Sequence, residues 1–317
     1  MKKALIVGID DYPSSPLNGC VNDANAIANT LETNGDGAPN FGVRLITSPN
    51  TDVTRSYLRE AIEELFNGES DMALLYFSGH GFIKSTGGYL VTKDATRYDE
   101  GVSMDEILNI ANQSKAKNKV IILDCCHSGA LGSPSVTNNN LAQLSEGLSV
   151  LTASRDSESA LEINGSGVFT SLVVDALKGG AADLRGNITP GSLYAYVDEA
   201  LGAWDQRPIF KTNVSSFASL RNIPPKIPFE IMRKITAYFK HPESEHDLDP
   251  SYEYTEDSAI EENVKIFKHL QKFQSVGLVV PVGEEFMYFA AINSKSCRLT
   301  ALGYQYWRLV NEKKLYS

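Results

Sequence analysis

The feature that most constrains the fold is a series of short apolar runs, rich in valine and isoleucine, that alternate with helical patterns. The runs occupy residues 3–10, 43–47, 72–78, 120–125 and 148–153, and residues 208–212 are predicted as a last strand. Apolar residues with helical spacing predict helices over 21–31, 54–66, 104–111, 168–177 and 189–201. Ser103 and Glu106 have the spacing of a capping box at the start of the helix over 104–111. Strands that alternate with helices predict an α/β fold, with a mostly parallel sheet flanked by helices.

The chain is predicted to contain two domains and a linker. The α/β domain covers residues 1–223, and a proline-rich and then acidic segment over 224–263 is predicted as a linker, with its acidic stretch from Glu243 to Glu262 exposed and mobile. Residues 264–317 have helical patterns at 264–276 and 300–311, with hairpin-like apolar runs at 278–282 and 286–292 between them. Helix, hairpin and helix predict a small α+β domain of the winged-helix type.

Composition limits the classes of function. The net charge of -10 argues against broad nucleic-acid binding. No apolar run approaches the roughly 20 residues that cross a bilayer, and the N-terminal run is too short and wrongly flanked for a signal peptide. Two of the four cysteines are adjacent, which does not suit a disulfide framework. We therefore predict a cytoplasmic protein with free thiols and no membrane association.

Polar, reactive residues follow three of the predicted strands. They are Asp10, Cys20 and Asp23 after the first strand, Ser78-Gly79-His80-Gly81 after the third, and Asp124-Cys125-Cys126-His127-Ser128-Gly129 after the fourth. Because functional groups of an open α/β sheet gather beyond the carboxyl ends of its strands, we expect these segments to meet.

A thiol and a histidine in this arrangement indicate nucleophilic catalysis. Histidine titrates near neutral pH and withdraws a thiol proton, and neighbouring glycines let a substrate approach the backbone. Taken alone, His80 is more often structural and Cys126 more often a small buried residue, but the joint pattern favours chemistry. A zinc site at Cys125, Cys126 and His127 is disfavoured, since adjacent residues rarely reach one tetrahedral ion and no second ligand pair follows.

The segments 76–81 and 124–129 resemble the two signatures of the caspase and metacaspase superfamily, about 46 residues apart. The resemblance covers residues 1–222, including 152–158 and 167–170. It implies a cysteine endopeptidase in which Cys126 is the nucleophile, His80 is the acid and base, and the amides of Gly81 and Cys126 form the oxyanion hole. It implies no cofactor.

The resemblance also implies a substrate specificity. Residues 19–24 resemble the metacaspase segment that lines the S1 pocket, so that Cys20 and Asp23, together with Ser78 and Asp124, are predicted to bind Arg or Lys of a protein substrate. Many metacaspases bind activating Ca²⁺ through aspartates. Asp94 and Asp105 could correspond to two of these, but Ser133 stands where another carboxylate is expected. We predict no metal site and no dependence on Ca²⁺.

The connection after Cys126 bears on activation. Residues 127–147 contain no Lys, Arg or Asp, so neither specificity would cut there, and we expect one uncleaved chain that a partner or small-molecule signal activates. By analogy with prokaryotic relatives, the expected role is an effector of defence or cell death. The alternative is a winged-helix regulator with a non-catalytic caspase-like domain, whose tail, basic in its second half, binds DNA or protein. A regulatory or protein-binding tail is favoured, because the acidic segment would repel DNA, and nucleic acid is not the expected partner.

Overall fold

The computed structural model describes residues 1–84, 87–96, 99–125, 143–153, 162–163, 165–201 and 208–315. The chain divides into two compact units, Met1–Ile223 and Pro224–Ser317. Among the helices in these ranges, none combines the length and the apolar character needed to span a lipid bilayer.

A six-stranded sheet is the centre of the first unit. The strands of this unit are β1 (Lys2–Gly8), β2 (Phe41–Thr47), β3 (Met72–Ser78), β4 (Gly81–Lys84), β5 (Gly87–Thr96), β6 (Asp99–Ser103), β7 (Asn118–Asp124), β8 (Leu148–Thr152), β9 (Glu162–Ile163), β10 (Ser166–Gly167), β11 (Asn187–Ile188), β12 (Ile209–Asn213) and β13 (Arg221–Asn222). The central sheet has the order β12-β8-β7-β3-β1-β2. Only the β12–β8 pair within it is antiparallel, so the predicted mostly parallel sheet is confirmed.

Five helices flank the strands in the described part of this unit. They are α1 (Cys20–Leu31), α2 (Arg55–Phe66), α3 (Met104–Gln113), α4 (Val168–Asp175), which continues into a π-helical turn at Ala176–Gly180, and α5 (Pro190–Leu201). The side chain of Thr54 caps α2 by accepting a hydrogen bond from Tyr57 N. The capping box predicted for α3 is wrong, because Ser103 makes no side-chain cap and the Glu106 carboxylate binds Arg59 instead.

Alternation along the strands builds a core on each face of the sheet. Leu5 and Val7 point to one face with the buried residues of α2 and α3, whereas Ala4 and Ile6 point to the other face with α1, α4 and α5. A parallel sheet that is covered on both faces explains why its strands read as continuous apolar runs.

The strand register places three residues side by side at the carboxyl edge of the sheet. Gly8 of β1 pairs with Ser78 of β3, which pairs with Asp124 of β7. A Cβ at Gly8 would collide with the carbonyl oxygen of Cys20, so glycine allows α1 to begin directly against β1. The predicted meeting of the three polar segments therefore occurs at this edge.

The second unit contains a three-stranded antiparallel sheet and several helices. Its elements are α6 (Phe229–Met232), α7 (Ile235–Tyr238), β14 (Glu245–Asp247), a 3-10 turn (Pro250–Tyr252), α8 (Glu261–Ser275), β15 (Val279–Val282), α9 (Met287–Ile292), β16 (Ser296–Leu299) and α10 (Ala301–Asn311).

Two predictions for this unit are corrected by the structure. Residues 224–263 are not a mobile linker: Met232, Ile235 and Phe239 are buried in the second unit, and β14 pairs with β16. The predicted hairpin is also wrong, because residues 287–292 form α9, whose buried Met287, Ala290 and Ala291 follow a helical rather than an alternating spacing. The winged-helix assignment stays a prediction.

Candidate active site

Two buried carboxylates converge at the carboxyl edge of the sheet. Asp23 lies in the first turn of α1 and Asp124 ends β7, and they are only 3% and 6% exposed. Both carboxylate oxygens of Asp23 accept hydrogen bonds from the N–H of Gly167, at 3.2 Å. A Cβ placed on Gly167 would lie 2.9 Å from Asp124 Oδ2 and 3.1 Å from Asp23 Oδ2, so both carboxylates approach the same point of the backbone.

A buried hydrogen-bond relay orients Asp124. The Thr170 hydroxyl donates to Asp124 Oδ2 at 2.6 Å and lies 2.5 Å from the Tyr76 hydroxyl. Burial raises the pKa of Tyr76, and the negative charges of Asp124 and Asp23 raise it further, so Tyr76 remains a phenol. Since the one hydroxyl proton of Thr170 is used by Asp124, Tyr76 donates to Thr170 and the relay runs in one direction.

The relay makes a prediction about stability. Thr170→Val keeps the shape but leaves Tyr76 and Asp124 without this partner, and we expect it to lower the free energy of unfolding by about 1–3 kcal/mol. Urea unfolding of the full-length chain measures this. Tyr76→Phe should cost less when it is added to Thr170→Val than when it is made in the wild-type protein, because the phenol has then already lost Thr170 as an acceptor. Additive costs in the double variant would contradict the relay.

Cys20 and Ser78 lie beside the carboxylates. Burial raises the pKa of Cys20 well above its ordinary value, a hydrogen bond with Ser78 opposes the rise, and neighbouring carboxylates add to it. Cys20 therefore stays a thiol at neutral pH. Asp10 holds this end of α1 against β1, since Oδ1 accepts from Cys20 N at 2.9 Å and Oδ2 from Val21 N at 3.3 Å. The structure thus brings together the four residues predicted to bind substrate.

His80 is half-buried two residues beyond the end of β3, and its ring is held at one nitrogen. Nε2 lies 2.7 Å from the carbonyl oxygen of Ser15. Because a carbonyl only accepts, Nε2 carries the proton, and in the neutral ring Nδ1 is the basic nitrogen. This contact has no sequence signature, since any residue at position 15 would present the same carbonyl.

Tyr12 fixes both the backbone and the ring of His80. Its hydroxyl accepts from His80 N at 3.0 Å and donates to Val91 O at 3.2 Å, and the two rings are 4.6 Å apart between centroids. A Cβ on Gly79 would lie 2.5 Å from the Tyr12 hydroxyl, which explains why glycine precedes the histidine. The sequence did not identify Tyr12, Ser15 or Thr170 as site residues. For Tyr12 there was a signal, because a glycine next to His80 indicates that another group packs closely against the backbone there.

The predicted nucleophile Cys126 lies outside the described residues. Its neighbour Cys125 is buried in the core on the α2 and α3 face, as expected for a structural thiol. Gly81, predicted to supply an oxyanion amide, begins β4 directly after His80. Ser78 and Asp124 pair with each other at the ends of the adjacent strands β3 and β7. In the sequence, His80 comes two residues after Ser78, and Cys126 comes two residues after Asp124.

A cleft of about 550 Å³ adjoins the histidine, between the segment around Ser15 and the small antiparallel sheet β4-β5-β6. It is lined by Ser15, His80, Gly81, Phe82, Lys84, Val91, Ala95, Thr96 and Glu100.

No metal-binding arrangement is found in the described ranges: no three His, Cys, Asp or Glu side chains there come close enough together to hold an ion. Asp94, one of the aspartates considered for Ca²⁺, instead accepts hydrogen bonds from Arg55 N and the Thr92 hydroxyl through Oδ1.

Comparisons with known proteins agree with this architecture. Residues 1–217 match the family model of the caspase domain, peptidase C14. Protein GSU0716 of Geobacter sulfurreducens is similar in structure, with a TM-score of 0.51, 17% identity, and coverage of 71% of this chain and 98% of that one. Caspase-1 of Spodoptera frugiperda has a TM-score of 0.51 and 12% identity, with coverage of 70% and 90%. No curated protein matched in a sequence search. The matched segment contains His80 and the acidic cluster, which is formed by Asp23 and Asp124 with the adjoining Cys20 and Ser78. The chain therefore belongs to the caspase-domain family of cysteine peptidases, peptidase C14.

Proposed function

We propose that the protein is a cysteine endopeptidase that cleaves after Arg or Lys, with Cys126 as the nucleophile, His80 as the proton carrier and no cofactor. The observation that carries the specificity is the convergence of the buried Asp23 and Asp124 beside the strand end that leads to His80. A family member acts on protein substrates, so the ligand for these carboxylates is a side chain of a polypeptide.

The position of His80 supports a two-step mechanism. Nδ1 takes the proton of the Cys126 thiol, and the Ser15 carbonyl and the Tyr12 ring stabilise the imidazolium that forms. The thiolate adds to the peptide carbonyl, and the amides of Gly81 and Cys126 bind the oxyanion. The C–N bond then breaks, His80 gives its proton to the leaving amine, and a thioester remains. Water, deprotonated by His80, hydrolyses the thioester and restores the thiol.

The acidic cluster supports a basic residue at the P1 position, which precedes the scissile bond. A guanidinium or ammonium group entering this buried site loses its hydration, and that loss is offset only by opposite charges and hydrogen-bond acceptors. Asp23 and Asp124 supply both. An aspartate at P1 would instead add a third negative charge at a buried site, which strongly disfavours it.

We further propose that the enzyme is a cytoplasmic effector that acts as a single uncleaved chain and is activated by a partner or small-molecule signal, in prokaryotic defence or cell death. The connection over residues 127–147 lacks Lys, Arg and Asp, so cleavage within it does not suit this specificity.

The proposal predicts the outcome of a peptide panel. Fluorogenic peptides that differ only in Arg, Lys or Asp at P1 are incubated with the full-length protein, with and without Ca²⁺ and host-cell extract. We expect release after Arg and Lys and none after Asp, because only cations complement the carboxylates. Cleavage after Asp would contradict the specificity. Absence of cleavage in every condition, together with no labelling of Cys126 by a peptide thiol probe, would favour the non-catalytic regulator.

A further inference from the structure

The cleft beside His80 is large enough, at about 550 Å³, to take one or two amino-acid side chains. Much of its surface is apolar, from Phe82, Val91 and Ala95. Phe82 is 43% exposed although it is a large aromatic residue, so the cleft presents apolar surface that a ligand would remove from water.

The charges at the cleft compensate one another. Lys84 and Glu100 both line it, and their side chains form an ion pair with each other. A charged ligand group would have to compete with this existing pair, whereas an apolar group would not. The lining therefore favours an uncharged, bulky side chain.

The cleft and the acidic cluster lie on opposite sides of the sheet edge. Asp124 points to the α1 and α4 face, where it binds Thr170 of α4. Val91 of the cleft packs against the core of the other face, next to Tyr12. His80 lines the cleft and packs against Tyr12, and it follows by two residues from Ser78, whose side chain hydrogen-bonds to Cys20 on the acidic side. The backbone that carries the imidazole therefore links the two sites.

This arrangement gives the cleft a role in the proposed peptidase reaction, on which the inference rests. The side chain before the scissile bond occupies the acidic cluster. The residue after the bond supplies the leaving amine, which must reach His80 to receive its proton. The chain beyond that amine therefore continues on the side of His80 away from the carboxylates. We propose that the cleft is a primed-side subsite for a large apolar or aromatic side chain, at the first or second residue after the cleavage point.

The experiment measures binding, so that it does not depend on turnover. Labelled peptides that share one Arg and continue with Gly-Gly, Phe-Gly, Gly-Phe or Asp-Gly are titrated into the full-length Cys126→Ala protein, with fluorescence anisotropy as the readout. We expect one of the two Phe peptides to bind about ten-fold more tightly than the Gly-Gly peptide, the usual scale for a filled apolar subsite. The Asp-Gly peptide should gain nothing.

Two variants locate the effect. Phe82→Ala should abolish the ten-fold gain, whereas Ile83→Ala should preserve it, since Ile83 has almost the same exposure, 41%, but does not line the cleft. Equal binding of all peptides, or a gain that survives Phe82→Ala, would overturn the inference. Wild-type turnover is measured separately, with and without host-cell extract. Tight, Phe82-dependent binding of a peptide that is cleaved in neither condition, together with no labelling of Cys126 by a peptide thiol probe, would refute the peptidase function and leave an apolar peptide-binding site in place.

Discussion

Replacing Cys126 with alanine is expected to lower kcat/KM for an arginyl peptide by about 10⁴-fold or more, because no other group can form the thioester. Initial rates on the preferred peptide of the panel measure it. The matched control is Cys125→Ala, which removes the neighbouring thiol from the core and should keep activity within a few-fold at a stability cost of about 1 kcal/mol. Loss of activity in Cys125→Ala with retention in Cys126→Ala would show that Cys125 is the nucleophile and Cys126 is not.

The other thiols provide an independent check through alkylation. Cys20, Cys125 and Cys297 are buried. Burial raises the pKa of Cys20 and raises that of Cys297 to about 12. A thiol with a raised pKa stays protonated at pH 7, and only the thiolate reacts. Iodoacetamide at pH 7 should therefore modify the native protein at one site, and Cys126→Ala should remove that site.

The second large effect is expected from Asp124→Asn. Asparagine keeps the size and an acceptor for the Thr170 hydroxyl but removes the charge, so a basic P1 side chain loses a buried counter-charge. Breaking a buried pair costs about 3–5 kcal/mol, which lowers kcat/KM for the arginyl peptide roughly 150- to 5,000-fold.

A matched control for Asp124→Asn lies at the opposite end of the sheet. Asp71→Asn makes the same change of charge just before β3, where the exposed carboxylate pairs with the N-terminus and Lys117. It should leave kcat/KM unchanged. If the two variants were indistinguishable, with wild-type activity in both, Asp124 would not face the P1 side chain.

The sheet could be predicted because its signal is local. A strand buried on both faces needs an uninterrupted apolar run, and β3 occupies the predicted residues 72–78 from end to end. The meeting of Asp23, Ser78 and Asp124 followed from parallel strands sharing one edge. The three-stranded sheet β4-β5-β6 was not predicted, since β5 begins with two glycines and β4 has exposed apolar residues. Burial alternates along the first half of β5, but its consecutive Tyr89, Leu90 and Val91 give no matching alternation of apolar and polar residues in the sequence.

The missed site residues depend on tertiary contacts that carry no local pattern. The partner of His80 is a backbone carbonyl, and Thr170 reaches Asp124 from a helix 46 residues later in the chain. In the second unit, acidic side chains between residues 243 and 262 suggested a linker, but Leu248 and Ser251 are buried there. In such a segment the many charged residues dominate the composition, and the few buried residues that hold it in place are not apparent from the sequence.

One segment, from Asp10 to Asp23, contributes to both halves of the active site. Within it Tyr12 and Ser15 fix the imidazole, while Cys20 and Asp23 line the acidic cluster, and Asp10 joins the two halves by holding the start of α1. If the protein is the proposed peptidase, its reactivity and its substrate choice both depend on this one segment. In the proposed enzyme, an insertion or deletion in this segment should change turnover and P1 preference at the same time, whereas substitutions at Gly167 of β10 or Thr170 of α4 contact the carboxylates alone and should change P1 preference with the histidine in place.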